Sequence, residues 1–597
     1  MPSSTRITFG DAGPEIPFAD GIPMPPPVRP VLVLSGSDHE IGYQYFQQLV
    51  QIYGAEIASQ KWGYLYHHSP LHRDFSAEEK TALREFQAHV DTYVPEWTDI
   101  MKGMAAGARD AGIDLAYEDV LAYLVLFEEH NPWSLKSFVP AGSGPGGAPG
   151  GAPGGGDGSA APGSVGDGSA AGKQAPACSG FAAWGRATKD GRLICAGNGD
   201  DPAGFFAHTV VVFPETGNSF IASPYHFPGF GTDPAHPVLN SKGVVLVHHG
   251  SGCISDTANW GYTVPRGMAN MHILRFADTA QQAVEMHLAL PAAVNYKDGN
   301  FFADLSHDVL VIERRHPAVI RRAGDADETD FLYHTNNYQS QEMGDRATQD
   351  HIPHGGWLSK EFQGLEALDF TPWSVSRNLF MWNMLHNYQG EIDLEFAQMM
   401  YRFPSTTTHP TLEEADAAYG PTLGRSYHAH IGSLFNSFIG IALPHERRYL
   451  VCSGSATRAT GAALPTMHNY GPGQTHSFYE LTLGSGPQEL AETALTRAQY
   501  DLYYANQAVS GLKFAEAACL EPTFDRAKTE FMKGHYYLNS VLTGNVPDER
   551  DALFHFARAT RAFTRCQVYA RQLREAVEPP ASTPEDLVSP GHVFPLL

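Results

Sequence analysis

The chain lacks long apolar runs. Stretches such as Val244 to Val247 and Val309 to Ile312 have strand length, far short of the roughly 20 residues that cross a bilayer, so no membrane span is expected. The start, Met1 to Asp20, is polar and contains proline; it is not the basic segment and apolar run of a secretory signal, and a cytoplasmic protein is expected. Basic residues are scarce. Against 65 Asp and Glu stand 40 Lys and Arg, a formal charge of −25. Such a field repels phosphate backbones and anionic headgroups, which argues against nucleic-acid and membrane partners. Six cysteines in 597 residues form no C-x-x-C pair, which argues against a zinc ribbon or a disulfide framework. The 28 histidines include no H-E-x-x-H, and the group His226, His236, His248 and His249 sits among aromatics, where packing and hydrogen bonding are the usual roles; no catalytic metal is expected. Gly471-Pro472-Gly473 and the other Gly clusters lack the Lys-Ser/Thr of a phosphate loop, so no nucleotide cofactor is expected.

What is present divides the chain into four parts. Val31 to Leu34 reads as a strand, and Ser37-Asp38-His39-Glu40 is a capping-box pattern ahead of Ile41, Tyr45, Leu49 and Ile52 at helical spacing. More helix is expected at Glu79 to Val94, Pro95 to Ala111 and Tyr117 to Phe127, making residues 1–140 a mainly helical region. From 141 to 177 the composition shifts to Gly, Ala, Pro, Ser and Asp, with GGAPGGAPGG and two copies of GDGSAA. Too little apolar surface is available there to offset ordering entropy, so a disordered linker is expected.

From Cys178 to Gly486 short strands dominate: Gly180 to Trp184, Arg192 to Ala196, Thr209 to Phe213, Ser219 to Ala222, Gly243 to His248, Asp308 to Glu313, Tyr449 to Ser453 and His476 to Leu483. Turns such as Lys189-Asp190-Gly191 join them, and antiparallel sheet is the expected product. Helices are expected at Thr279 to Leu288, Ser374 to Tyr388 and Asp393 to Arg402. Blocks of helix and antiparallel sheet make the fold class α+β. Residues 487–597 form a helical C-terminal appendage, broken at Pro547; it reads either as an extra layer over the core or as a lid or docking module.

The candidate chemistry begins at Cys178. It ends the Gly-rich stretch and starts a sheet, so its thiol is placed to attack the carbonyl of its own preceding bond, Ala177-Cys178. Opening that bond makes Cys178 a chain terminus whose α-amine, with a reference pKa of about 7.7 to 8.0, serves as general base to the thiol. Taken alone, the same cysteine also reads as an ordinary core thiol.

Further residues weigh toward the catalytic reading. Cys178-Ser179-Gly180-Phe181, Gly185 to Ile194 with its Lys189-Asp190-Gly191 turn, and Gly197-Asn198-Gly199-Asp200 together resemble the peptidase C45 family of autoproteolytic acyltransferases and hydrolases in the N-terminal-nucleophile superfamily. The resemblance continues at Asn240-Ser241-Lys242-Gly243, Ala280 to Leu288, Thr335-Asn336-Asn337-Tyr338 and Ser374-Val375-Ser376-Arg377, and upstream at Glu40-Ile41-Gly42 and Gly103 to Gly107. It spans roughly residues 31 to 485.

The resemblance implies a four-layer αββα sandwich with a helical pro-region and a precursor cut at Ala177-Cys178 into an α and a β fragment. It also implies roles: Cys178 as nucleophile, Asp200 as the carboxylate orienting its amine, Asn336 as oxyanion donor, and Arg377 as support for Asp200 or a substrate carboxyl. His249, Gly250 and Ser251 fall where the family supplies backbone donors. Without the motif, Asp200 reads as a turn cap, Asn336 as a strand-end turn residue and Arg377 as a surface helix-start arginine. Bile salt hydrolases place an Arg where this chain has Gly197, which argues against a bile-salt-like substrate. The expected partner is a small-molecule amide or acyl donor, with no cofactor and acyl-CoA only as a substrate. Two rivals remain: a conventional cysteine peptidase on an uncut chain, and a non-enzymatic binding scaffold with a plain linker.

Overall fold

The computed structural model describes residues 28–64, 77–126, 177–200, 208–224, 237–247, 266–290, 298–314, 319–346 apart from 327 and 337, 372–402, 436–453 and 477–581, with short pieces at 18–19, 22–23, 230–231 and 264. Residues 141–176 of the expected linker, His249 to Ser251, and the histidines 226, 236, 248 and 249 lie outside the described residues.

After a two-residue ribbon, β1 (Phe18–Ala19) with β2 (Ile22–Pro23), the chain enters strand β3 (Val31–Gly36) and helix α1 (Asp38–Tyr64). The helix starts on the capping box that the sequence spells: Ser37 N donates to Glu40 Oε2 at 2.8 Å and Glu40 N to Ser37 Oγ at 3.4 Å. Helices α2 (Ala77–Tyr93), α3 (Glu96–Asp110) and α4 (Tyr117–Leu126) follow. Helices α1 and α3 meet through glycines. A Cβ on Gly42 would stand 1.8 Å from Ile100 O, and one on Gly103 would stand 2.0 Å from His39 O, so only the bare backbone permits this approach.

Two sheets follow. The first has eight strands in the order β12-β11-β10-β9-β8-β7-β6-β3. They are β3, β6 (Thr209–Pro214), β7 (Phe220–Ala222), β8 (Val238–Asn240), β9 (Val245–Val247), β10 (Asp298–Ala303), β11 (Val309–Arg314) and β12 (Val319–Ala326). The second has six, ordered β13-β4-β5-β14-β15-β16: β4 (Ala177–Ala183), β5 (Ile194–Asp200), β13 (Phe331–His334), β14 (Asn436–Leu443), β15 (Arg448–Cys452) and β16 (Phe478–Thr482). One pair departs from the antiparallel expectation: β3 and β6 run parallel, Val31 opposite Thr209. The helical block lies between them in the chain, and a crossover of that kind is what parallel pairing requires.

Side-chain alternation tells where each face goes. In β3 and β6, Leu32, Leu34, Val210 and Val212 join a core with α1 to α4, α5 (Arg266–Phe276) and α6 (Ala280–Ala289), while Val31, Val33, Val211 and Phe213 join a second core. That second core is shared with Ala182, Cys195, Tyr449 and Val451 of the six-stranded sheet. The other face of that sheet, with Phe181, Ala183, Ile194, Ala196, Leu450 and Cys452, packs on α8 (Pro372–Asn387) and α9 (Leu394–Arg402); between β13 and α8 the chain forms the short α7 (Gln341–Arg346). Both faces of most strands are thus covered, and strands such as β3 and β6 read as continuous apolar runs for that reason; edge strand β12 is different, with Ile320 and Arg322 exposed.

The C-terminal region forms helices α10 (Pro487–Ser510), α11 (Phe514–Leu542) and α12 (Glu549–Val577). The last begins on an Asp548 cap that accepts from Arg550 N and Asp551 N. It covers the outer strands of both sheets: Arg561 Nη1 donates to Val31 O of β3 and to Gln48 Oε1, and Gln567 accepts from Glu480 N of β16 and donates to its carbonyl. The open edges β3 and β16 are closed in this way. Among the described residues no helix is long and apolar enough to cross a membrane.

Candidate active site

Sheet register assembles the site. Strand β4 pairs with β5 so that Cys178 is opposite Gly199 and Ala177 opposite Asp200. On its other side β4 pairs with β13, His334 opposite Gly180. Continuing that antiparallel register two residues past His334 brings Asn336 level with Cys178. The candidates from three distant stretches of sequence therefore meet at one end of β4.

Side-chain hydrogen bonds complete the arrangement. Cys178 is buried, and its main-chain N–H donates to Asn336 Oδ1 at 2.6 Å. Its carbonyl accepts from Arg377 Nη1 at 2.5 Å, and the same nitrogen donates to Ser179 Oγ at 2.8 Å. Arg377 Nη2 donates to Asn336 Oδ1 at 3.0 Å. With two donors on Oδ1, the donor end of the Asn336 amide is Nδ2. Arg377 is 1% exposed, so it is not the surface helix-start residue its sequence position also allowed. It bonds Cys178, Ser179 and Asn336. Alternation along β4 puts Ser179 on the face of Phe181, toward α8 and α9, where Tyr401 donates to its carbonyl at 3.3 Å. Cys178 shares the opposite face with Ala182, turned toward the other sheet. Asp200 is the last residue of β5, its backbone paired with Ala177 and Asn436.

Several residues that hold this site were not singled out in the sequence. Asn378, the neighbour of Arg377 on α8, accepts at Oδ1 from Thr335 Oγ1 and from Gln339 Nε2, both at 2.7 Å. It thereby ties the loop carrying Asn336 to the helix carrying Arg377. Glu313, at the end of β11 in the other sheet, accepts from Gln339 N at 2.6 Å, from Ser340 N at 3.0 Å and from Ser340 Oγ at 2.5 Å. Burial raises its carboxyl, but His334, whose Nε2 lies 3.8 Å away, together with Arg321 and Ser340 outweighs that and holds it down at about 2. Arg321 of β12 grips Glu328 with bonds of 2.8 and 2.9 Å and donates to Tyr333 O and Gln339 Oε1. A charge ending the apolar run Val309 to Ile312 was the sequence signal for Glu313.

The other thiols are placed differently. Cys195, in the core between the sheets, and Cys566 on α12 are buried, and burial pushes both thiols well above their ordinary range. Cys452 is buried as well, and Cys253 lies outside the described residues.

No family model matches the chain, and no curated protein matches it. Among solved structures it is similar to the conjugated bile acid hydrolase from Clostridium perfringens in two variant forms. Each is 11% identical with a TM-score of 0.28, covering 52% of this chain and 97% or 98% of theirs. A likeness of that degree decides neither fold family nor activity.

Proposed function

We propose that the protein is a self-processing cysteine amidohydrolase of the N-terminal-nucleophile kind, built as an αββα sandwich. The observation that carries this reading is the bonding of Cys178's own main chain. Its nitrogen is held by Asn336 Oδ1 and its carbonyl by Arg377 Nη1. Any buried strand residue needs partners for its N–H and C=O; here side chains of two candidate site residues supply them, which supports a residue whose nitrogen is to become the catalytic amine.

In the maturation step the Cys178 thiol attacks the Ala177 carbonyl carbon, its proton passes to the departing Cys178 nitrogen, and a thioester joins the two residues. Water hydrolyses the thioester, giving a carboxyl terminus at Ala177 and a free thiol and amine at Cys178. In turnover the amine takes the thiol proton, the thiolate adds to a substrate amide, and Nδ2 of Asn336 stabilises the oxyanion. The leaving amine receives the proton, and water releases the acid from the acyl-thioester. With an amine as acceptor the same intermediate gives acyl transfer, and acyl-CoA would then enter as a donor. Asp200, beside the scissile bond in the strand pairing, is assigned to the amine.

Intact-mass measurement on active protein tests the reading. Apportioned by residue number, the 65.0 kDa chain yields fragments of about 19 and about 46 kDa that remain associated. Activity from a wholly uncut chain would favour a conventional cysteine peptidase, and neither cleavage nor thiol reactivity would leave only a binding scaffold.

A further inference from the structure

Alternation along β4 turns Cys178 toward the eight-stranded sheet and Ser179 toward α8 and α9. The candidate nucleophile is therefore gripped from behind, through its neighbour. From α8, Arg377 Nη1 donates to Ser179 Oγ at 2.8 Å as well as to the Cys178 carbonyl. From α9, the buried Tyr401 donates through its hydroxyl to the Ser179 carbonyl at 3.3 Å. A shift of Ser179 carries Cys178 with it, because one planar peptide unit joins them, and a misplacement of about 1 Å at a reacting group can cost about 100-fold in rate.

Tyr401 stands in the least secure part of its helix. With nine residues, α9 is too short to be stable by itself, and the last four carbonyls of any helix have no partner within it. Its end therefore depends on tertiary anchors, and the anchor is the next residue. Arg402, which closes α9 and is buried, donates through Nη2 to Glu575 Oε1 of α12 at 3.3 Å, with its guanidinium 5.5 Å over the Phe478 ring. Glu575 is buried too, and its Oε2 accepts from Ser477 Oγ at 2.7 Å, beside the start of β16. Ala581, just past α12, joins the core that α8 and α9 form with the six-stranded sheet. The C-terminal helix thus braces the one turn of α9 that reaches Ser179.

On the self-processing reading of Cys178, we infer that Tyr401 is a positioning residue for the nucleophile and that Glu575 of α12 acts on the reaction through it, by way of Arg402. The C-terminal helices then have a part in the chemistry and are more than an added layer over the core.

Self-cleavage of freshly synthesised full chain, followed by intact mass, tests this without an added substrate. Tyr401→Phe and Glu575→Gln both conserve side-chain shape, and thermal melts check that each variant folds. Tyr401→Phe removes one hydrogen bond and should slow cleavage about fivefold, and Glu575→Gln, which loosens the anchor, about threefold. Because both act on the position of Ser179, the double variant should be no slower than Tyr401→Phe, about fivefold and not about fifteenfold. A wild-type rate in either single variant, whatever its melting temperature, or a double variant that multiplies the two effects, would overturn the inference while the wild type is still cut. A wild-type chain that stays whole would remove the self-processing reading and this inference with it.

Discussion

The Asn336 side-chain oxygen lies 2.6 Å from the main-chain nitrogen of Cys178, across 158 residues of sequence. This distance makes Asn336 a partner of the nitrogen that processing would free, and under the proposed mechanism its Nδ2 is the end that donates to the reacting carbonyl. Asn336→Ala should lower kcat by about 100-fold to 1,000-fold, roughly 2.7 to 4 kcal/mol. Asp200→Asn should act on the amine instead: losing a neighbouring carboxylate lowers the amine's pKa, so the acid limb of the pH-rate profile moves to lower pH while processing slows. Steady-state kinetics across pH on folded variants checks both. Wild-type kcat in variants that merely melt lower would remove both residues from the site.

Substituting the thiols should separate nucleophile from core. Cys178→Ala should abolish both cleavage and turnover. Cys195→Ala, Cys452→Ala and Cys253→Ala should leave cleavage intact, since Cys195 is a core thiol that burial keeps protonated. Mass spectrometry of each variant reads the result. A Cys178→Ala chain still cut after Ala177 would point to a host protease.

Asn378 is expected to act as a positioning residue, because its oxygen joins the Asn336 loop to the Arg377 helix. Asn378→Ala leaves two buried donors without an acceptor, at a cost of about 1 to 3 kcal/mol each before relaxation. Processing rate and kcat should fall together, with KM little changed. Asn378→Asp keeps the acceptor and should recover much of the rate. A variant that loses stability but matures at the wild-type rate would make Asn378 purely structural.

Glu313 gives the site an acid limit. Its folded pKa, about 2, lies below the unfolded glutamate value of about 4.3. Its contribution is therefore present above the unfolded value and is lost as pH falls toward the folded one. Thermal melts between pH 5 and pH 2 should show stability falling with pH in the wild type and a flatter profile in Glu313→Gln. Parallel profiles would contradict this.

The sequence alone disclosed the strands whose two faces are both buried, such as Val31 to Leu34 and Thr209 to Phe213, because short uninterrupted apolar runs rich in Val leave little choice. It also disclosed helices with explicit starts: Ser37 to Glu40 spells a cap. Strands β8, β10, β12, β13 and β14 escaped notice, since three-residue strands, the glycines in Asp298–Ala303 and Asn436–Leu443, and the charges in Val319–Ala326 dilute local signal. Those segments are strands because their neighbours pair with them.

For the site, the motif around Cys178 was legible as a pattern of residue types, and so were Asn336 and Arg377 as candidates. Their relation was not. Only the order β13-β4-β5 brings Asn336 and Asp200 to opposite sides of Cys178's strand, and only the packing of α8 on that sheet turns Arg377 inward. Ser179, Asn378, Glu313 and Arg321 act through contacts between segments up to 198 residues apart, and no local rule encodes such contacts. The C-terminal helices were visible from their apolar stripe. That α12 closes the edges of both sheets follows from where unpaired β3 and β16 end up, a matter of topology that hydrophobic spacing cannot specify.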